Sequence, residues 1–226
     1  MKYLAFIPAR SGSKGIPGKN KMLLQNKPLI TYTFESATHS KLIDEIHLSS
    51  DDEDIMDLAL SHHTKVLYKR PQHIAEDTTS IYEVLLYHID FLKKNGMELP
   101  QYIVLLQPTS PLRGEKLIDK CITAFEKSGA ESLAAVSKAL QHPYEMFRRQ
   151  QGKNIFISSG NQQRQEYPEY YFITGSVYIA SLDFILREKK FFNDSSAIYV
   201  VEPFEAVDID DETDVDLALY YLKKTE

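Results

Sequence analysis

At 226 residues, with 43% hydrophobic and 26% charged side chains, the chain is long enough to bury its own core and is ordinary in composition for a globular protein. The single cysteine, Cys121, excludes an internal disulfide framework and a cysteine-rich zinc site, and fits a reducing compartment. A net charge of −6 argues against non-specific nucleic-acid binding. No window approaches the roughly 18 apolar residues of a spanning helix, so a cytoplasmic protein with no nucleic-acid or membrane partner is expected.

Residues 3–9 (YLAFIPA) form a compact apolar run that reads as a strand entering a glycine-rich loop. A helix is expected over 29–39, a strand over 44–50, and a helix over 52–62 with Ile55, Leu58 and Ala59 on one face. A short strand at 65–68, an amphipathic helix at 80–94 and a buried strand at 101–107 follow. A helix over 114–127 and a strand over 132–137 come next. Near-continuous apolar strands alternating with helices imply an α/β architecture, a mostly parallel sheet flanked by helices. In such sheets ligands bind beyond the carboxyl ends of the strands, where the glycine loop, Ser49–Asp51 and residues 107–113 all fall. The pattern breaks over 141–172, which is polar, aromatic and long for a loop, and is expected to form hairpins that pack on a second subunit. The chain returns to the core over 173–180, then a helix near 181–190, a strand over 197–203 and a helix over 212–223. Residues 1–226 are read as one domain, with 141–172 as an inserted excursion.

From Arg10 to Lys21 there are four cations and no acid, and the first acidic residue of the chain is Glu35. Gly12, Gly15 and Gly18 lie in the same stretch. Glycines let backbone amides come close to phosphate oxygens, and cations add charge-assisted hydrogen bonds, so a small, highly charged anion is the expected ligand. Two familiar phosphate-loop spacings fail. Gly18-Lys19 is followed by Asn20 rather than Ser or Thr, and residue 14 is Lys where the dinucleotide fingerprint needs Gly. Near the other end, Asp208 and Asp210 stand two apart in an extended stretch. That spacing points both carboxylates to one side, which suits a hard cation and an acidic cluster at a helix N-terminus equally. Asp211 and Glu212 suit a helix N-terminus, Asp51-Asp52 suit a helix cap, and His62-His63 read as surface residues.

Four stretches then agree in order: PARSGSKGIPGKN at 8–20, RPQHIAEDTTS at 70–80, LLQPTSPLR at 105–113 and DIDDETD at 208–214. Together they resemble the acylneuraminate cytidylyltransferases, the CMP-sialic acid synthetase family, over essentially the whole chain. The resemblance implies a Rossmann-like nucleotidyltransferase fold, a homodimer whose excursion is the dimerisation arm, and Mg²⁺ as cofactor. It implies that the anomeric hydroxyl of a nine-carbon keto sugar acid attacks the α-phosphorus of CTP and releases pyrophosphate. Carried over, Arg10, Lys14, Lys19 and Asp208 would be catalytic. Arg10, Gly12, Lys14, Asn20, Arg70 and Ser80 would bind CTP, and Asp208 and Asp210 would hold the metal. Gln107, Arg164, Tyr178, Phe191 and Phe192 would face the sugar, although the Phe pair suits a core role nearly as well. Arg113 fits a structural partner and a ligand contact equally.

Phe172 and Thr174 stand where bacterial sialic acid enzymes of this family often carry Arg and Asn, and Glu145 where they often carry Lys. The nucleotide half therefore matches more closely than the sugar half. N-acetylneuraminic, legionaminic and pseudaminic acids all stay open as acceptors. The alternatives are a CMP-Kdo-type synthetase, a glycosyltransferase with a D-x-D metal site, and a non-catalytic CTP-binding regulator. A glycosyltransferase's diphosphate donor would leave the basic loop overcharged. A regulator would be expected to have lost loop cations or the acidic pair, yet Arg10, Lys14, Asp208 and Asp210 are all present.

Overall fold

The computed structural model describes residues 1–12, 15–114, 116–157 and 163–225. The chain runs β1 (Tyr3–Pro8), a small ribbon of β2 (Leu23–Leu24) and β3 (Lys27–Pro28), α1 (Leu29–His39), β4 (Glu45–Ser50), α2 (Glu53–Ser61) and β5 (Lys65–Lys69). Next come α3 (Ile81–Lys94), β6 (Tyr102–Leu105), α4 (Leu117–Ser128) and β7 (Ser132–Lys138). The hairpin β8 (Phe147–Gln150) and β9 (Lys153–Phe156) precedes β10 (Tyr171–Ser181), α5 (Leu182–Glu188), β11 (Ala197–Val200) and α6 (Glu212–Thr225). Seven strands form the central sheet in the order β11-β7-β10-β6-β1-β4-β5. β10 alone runs against its neighbours, pairing antiparallel with both β6 and β7. The expected α/β architecture with a mostly parallel, helix-flanked sheet is therefore the one observed.

The apolar run of β1 has a two-sided cause. Ala5 and Ile7 pack with residues of α1, α2 and α4 on one face of the sheet. Leu4 and Phe6 pack with α3 and α5 on the other. A strand buried on both faces has no polar alternation to show. Helix starts follow their caps. Asp52 accepts the amides of Asp54 and Ile55 to open α2, and Ser80 with Glu83 forms a capping box at α3. A third apolar cluster joins Leu24, Leu29, Leu112, Val207 and Ile209. It binds the segments after β1, β6 and β11 into one platform under the strand ends.

The excursion contains hairpin structure, as expected. It holds the β8–β9 hairpin, and its last residues extend β10 back along β7, with Tyr171 opposite Lys138. Among the described residues no helix is long and apolar enough to cross a membrane.

Candidate active site

A cavity of about 390 Å³ opens at the carboxyl ends of β1, β5 and β6. Arg10 and Gly12 border it from the loop after β1, Lys19 and Asn20 from the turn that closes the loop, and Arg70 from the end of β5. Gln107 and Asp210 complete that wall. Seven residues expected at the ligand from four separate motifs thus share one cavity.

The loop is fastened to the acidic segment. A Cβ on Gly15 would overlap the backbone carbonyl of Asp210, so only glycine allows this approach. The ammonium of Lys19, nearly enclosed, donates to the Ile209 carbonyl at 2.7 Å and pairs with Asp210 Oδ1 at 3.0 Å. Asn20 Nδ2 donates to the carbonyl of Arg10 at 3.0 Å, which fixes the loop's other limb. The Arg10 guanidinium pairs with Asp77, presented by the 70–80 segment. An incoming phosphate oxygen would have to displace that carboxylate. Lys21 is turned away to Asp52 and Asp54 at the start of α2, at 2.9 and 2.8 Å.

Arg70 is 5% exposed and donates Nε–H to Ser49 Oγ at 3.0 Å and a second N–H to the Ser49 carbonyl. Burial pushes its pKa down to about 10, against the opposing pull of Asp51. It remains a cation at neutral pH. Arg113 is a brace rather than a ligand contact. Fully enclosed, it donates to Ser176 O at 2.7 Å, Thr33 Oγ1 at 3.2 Å and Gln107 O at 2.9 Å.

Asp208 stands behind this wall. Its Oδ1 is buried with no hydrogen-bond partner. Burial raises the carboxyl pKa; a hydrogen bond from Thr109 works the other way, and the Asp210 charge raises it further. An unpartnered carboxylate oxygen out of water is costly unless a cation meets it, so the pair fits a hard divalent ion. Asp210 supplies an open carboxylate, its side chain 79% exposed. Among the described residues no three His, Cys, Asp or Glu side chains converge on one point, so phosphate oxygens would have to complete such an ion's shell. Asp211 caps α6 by accepting the amides of Thr213 and Asp214 at 2.8 and 3.2 Å. Gly175, at φ +76°, lies where Gln107 and Asp208 converge: a Cβ there would stand 2.5 Å from Gln107 Oε1 and 3.7 Å from Asp208 Oδ2.

Other expected residues lie apart. Ser80 is engaged in the α3 cap and does not border the cavity, whereas its neighbour Thr79 does. Tyr178 is half-buried on β10, its ring stacked on Phe192 at 5.8 Å, and burial pushes its hydroxyl up to about 12. Phe191 belongs to the core under α3 and α5, and none of these three borders the cavity. Lys14 and the side chain of Arg164 lie outside the described residues. Glu76 and Asp77 border the cavity although neither was singled out. They sit inside the 70–80 motif, and a cation-seeking reading had no reason to choose its acids.

Moving a nucleotidyl group requires cations for a triphosphate and carboxylates for a metal in one place, and this fold brings both to the strand ends: the protein is a nucleotidyltransferase. Residues 4–224 match the cytidylyltransferase family, and the chain belongs to that family. It is 33% identical to CMP-N,N'-diacetyllegionaminic acid synthase of Legionella pneumophila over 225 residues, 97% of this chain and 94% of that one. It is 31% identical to N-acylneuraminate cytidylyltransferase of Streptococcus agalactiae over 95% of this chain, but spans only 52% of that longer protein. Among solved structures, CMP:2-keto-3-deoxy-manno-octonic acid synthetase complexed with CTP superposes with a TM-score of 0.70. Its identity is 14%, with both chains fully covered.

Proposed function

We propose that this protein transfers CMP from CTP to the anomeric hydroxyl of a nonulosonic acid, in the cytoplasm, giving a CMP-sugar acid and pyrophosphate. The observation that carries the reading is the buried, unpartnered Asp208 oxygen beside Asp210, behind a cavity lined by Arg10, Lys19 and Arg70. In this reading Arg10, Lys14 and Lys19 neutralise the triphosphate, while Gly12 and Asn20 shape the loop around it. Arg70 faces the nucleotide, and the amide of Gln107 faces the sugar acid. Ser80 sets the start of α3 beside the nucleoside. Arg164, Tyr178, Phe191 and Phe192 bound the sugar side. Asp208 and Asp210 would hold Mg²⁺, which when bound withdraws charge from the phosphate oxygens as the pyrophosphate leaves. Positioning and charge neutralisation then carry the catalysis.

The names of the relatives at 31–33% identity favour nonulosonic acids over Kdo, since the Kdo synthetase is only 14% identical and shares the fold alone. A homodimer is part of the proposal. Met146, Phe147 and Phe172 within the excursion, and Leu140 and Ile173 flanking it, are exposed, Leu140 by 84%, and a second copy would cover them. Pyrophosphate release is to be measured with CTP, UTP and ATP and with N-acetylneuraminic, legionaminic, pseudaminic and Kdo acids. Turnover with CTP and a nine-carbon acid supports the reading. Turnover with Kdo alone, or with none of the acids, overturns it.

A further inference from the structure

Five side chains that the mechanism does not use form a largely buried polar string ending at Arg70. Glu45, His47 and Ser49 alternate along β4 and share one face of that strand. His88 meets them from α3, and Tyr68 from β5. His47 Nε2 lies 2.8 Å from Glu45 Oε2, His47 Nδ1 lies 2.9 Å from His88 Nε2, and His88 Nδ1 lies 3.1 Å from the Tyr68 hydroxyl. The Ser49 hydroxyl, acting as a donor toward the Tyr68 oxygen, opposes the rise that burial imposes on the Tyr68 pKa, and Ser49 Oγ is 3.0 Å from Arg70 Nε. His47, His88 and Ser49 are fully enclosed.

The direction of every bond in this string is fixed by its ends. Glu45 is held as a carboxylate by Lys65 at 2.7 Å, so it can only accept. His47 must therefore carry its proton on Nε2, which leaves Nδ1 to accept from His88 Nε2–H. His88 Nδ1 then accepts from the Tyr68 hydroxyl, and the Tyr68 oxygen accepts from the Ser49 hydroxyl. Ser49 is left with a lone pair for Arg70, whose Nε–H can only donate. An acceptor-only end and a donor-only end agree on one arrangement, with each dipole presenting its negative end toward the guanidinium. Burial keeps both imidazoles neutral, holding His88 at about 3 and His47 below its usual range. This arrangement therefore persists through the neutral range. Aligned donors of this kind polarise one another in a low-dielectric interior.

We infer that Tyr68 and His88 are positioning residues for nucleotide binding, acting through Ser49 to hold the Arg70 guanidinium in the cavity. The inference rests on the proposed reading of Arg70 as a nucleotide contact. The bond to the Ser49 carbonyl holds one edge of the Arg70 guanidinium, and the Nε–H bond to Ser49 Oγ, which the string anchors, holds the other.

The tests separate the two layers. Nitrogen-15 NMR of the imidazoles should show both His47 and His88 as neutral Nε2–H tautomers; an Nδ1–H tautomer at either ring would break the string and overturn the inference. In steady-state assays Tyr68→Phe and His88→Leu should each raise KM for CTP about three- to tenfold, the worth of one hydrogen bond, with KM for the sugar acid unchanged. His88→Gln, which can accept from Tyr68 and donate to His47, should recover most of the loss. Arg70→Lys should cost at least as much as either variant. If Arg70→Lys leaves CTP unaffected, Arg70 is not at the nucleotide and the inference falls with that part of the reading. If Arg70→Lys is costly while Tyr68→Phe and His88→Leu are silent, or impair CTP and sugar acid equally, the positioning role alone is refuted.

Discussion

On the proposed reading, Gly175→Ala perturbs the point where the nucleotide and sugar halves of the site meet, since its Cβ would approach both Gln107 and Asp208. Two separable costs are expected. The first is conformational: residue 175 has φ +76°, and an L-residue held in the left-handed region costs about 1–2 kcal/mol. The second is steric: the new methyl would stand 2.5 Å from Gln107 Oε1, where ordinary contact begins at 3.4 Å. Gly175 lies in the irregular stretch of β10 between Ile173 and Tyr178, and the atom it meets is the far end of a flexible side chain, so the Gln107 amide is the group expected to retreat, by about 0.9 Å. The fold should survive, with Tm lowered by roughly 2–8 °C, because each kcal/mol shifts Tm by about 2–4 °C in a domain of this size. Activity should suffer more. A displacement near 1 Å in a positioned group can cost about 100-fold, which predicts a kcat/KM loss for the sugar acid far beyond that for CTP. The assay is steady-state pyrophosphate release with each substrate varied in turn, alongside thermal unfolding. If Gly175→Ala lowers Tm yet leaves the sugar-acid KM and kcat unchanged, Gln107 is not where this reasoning puts it.

Asp208→Asn should abolish turnover without lowering stability. The carboxyl pKa is raised in the folded state, so the native protein binds the extra proton; stability falls as pH rises through the window above the usual aspartate value. Removing the charge removes that penalty, and Tm at neutral pH should equal or exceed the parent's; a lower Tm would contradict the burial argument. Ser80→Ala should cost about 1 kcal/mol through loss of the α3 cap, read as lowered Tm; a loss confined to the CTP KM would instead return the hydroxyl to the ligand. Arg113→Met should be severe, since three buried acceptors lose their donor at a cost of about 1–3 kcal/mol each; a variant unfolding within 2 °C of the parent would refute the brace. Leu140→Asp combined with Phe172→Asp should leave a monomer by light scattering, and a persistent dimer would move the interface elsewhere.

How much of this was legible depended on whether the cause was local. Elements with two-faced burial or a cap, such as β1 and α3, declare themselves in a few residues. The helix expected from 114 begins at Leu117, where its buried apolar stripe of Leu117, Ile118, Cys121, Ile122 and Phe125 starts. That β10 runs antiparallel has no local signature; it follows from how the excursion returns. The site was legible as charge and glycine: Arg10, Lys19, Asn20, Gln107 and Asp210 share the cavity as their motifs suggested. Arg113 could not be assigned, since only the fold shows its three acceptors on three separate segments. Glu45, His47 and Ser49 alternate visibly in EIHLS, yet alternation alone does not say that His88 and Tyr68 will meet them.

The most direct test of the account is phosphorus-31 NMR of a single reaction mixture containing the enzyme, CTP, Mg²⁺ and the nonulosonic acid that supports pyrophosphate release. Attack by the anomeric hydroxyl on the α-phosphorus predicts that the CTP signals give way to equal amounts of pyrophosphate and one phosphodiester. Accumulation of CMP as a phosphomonoester would make water the nucleophile, and CDP with inorganic phosphate would put the attack at the wrong phosphorus; either would contradict it.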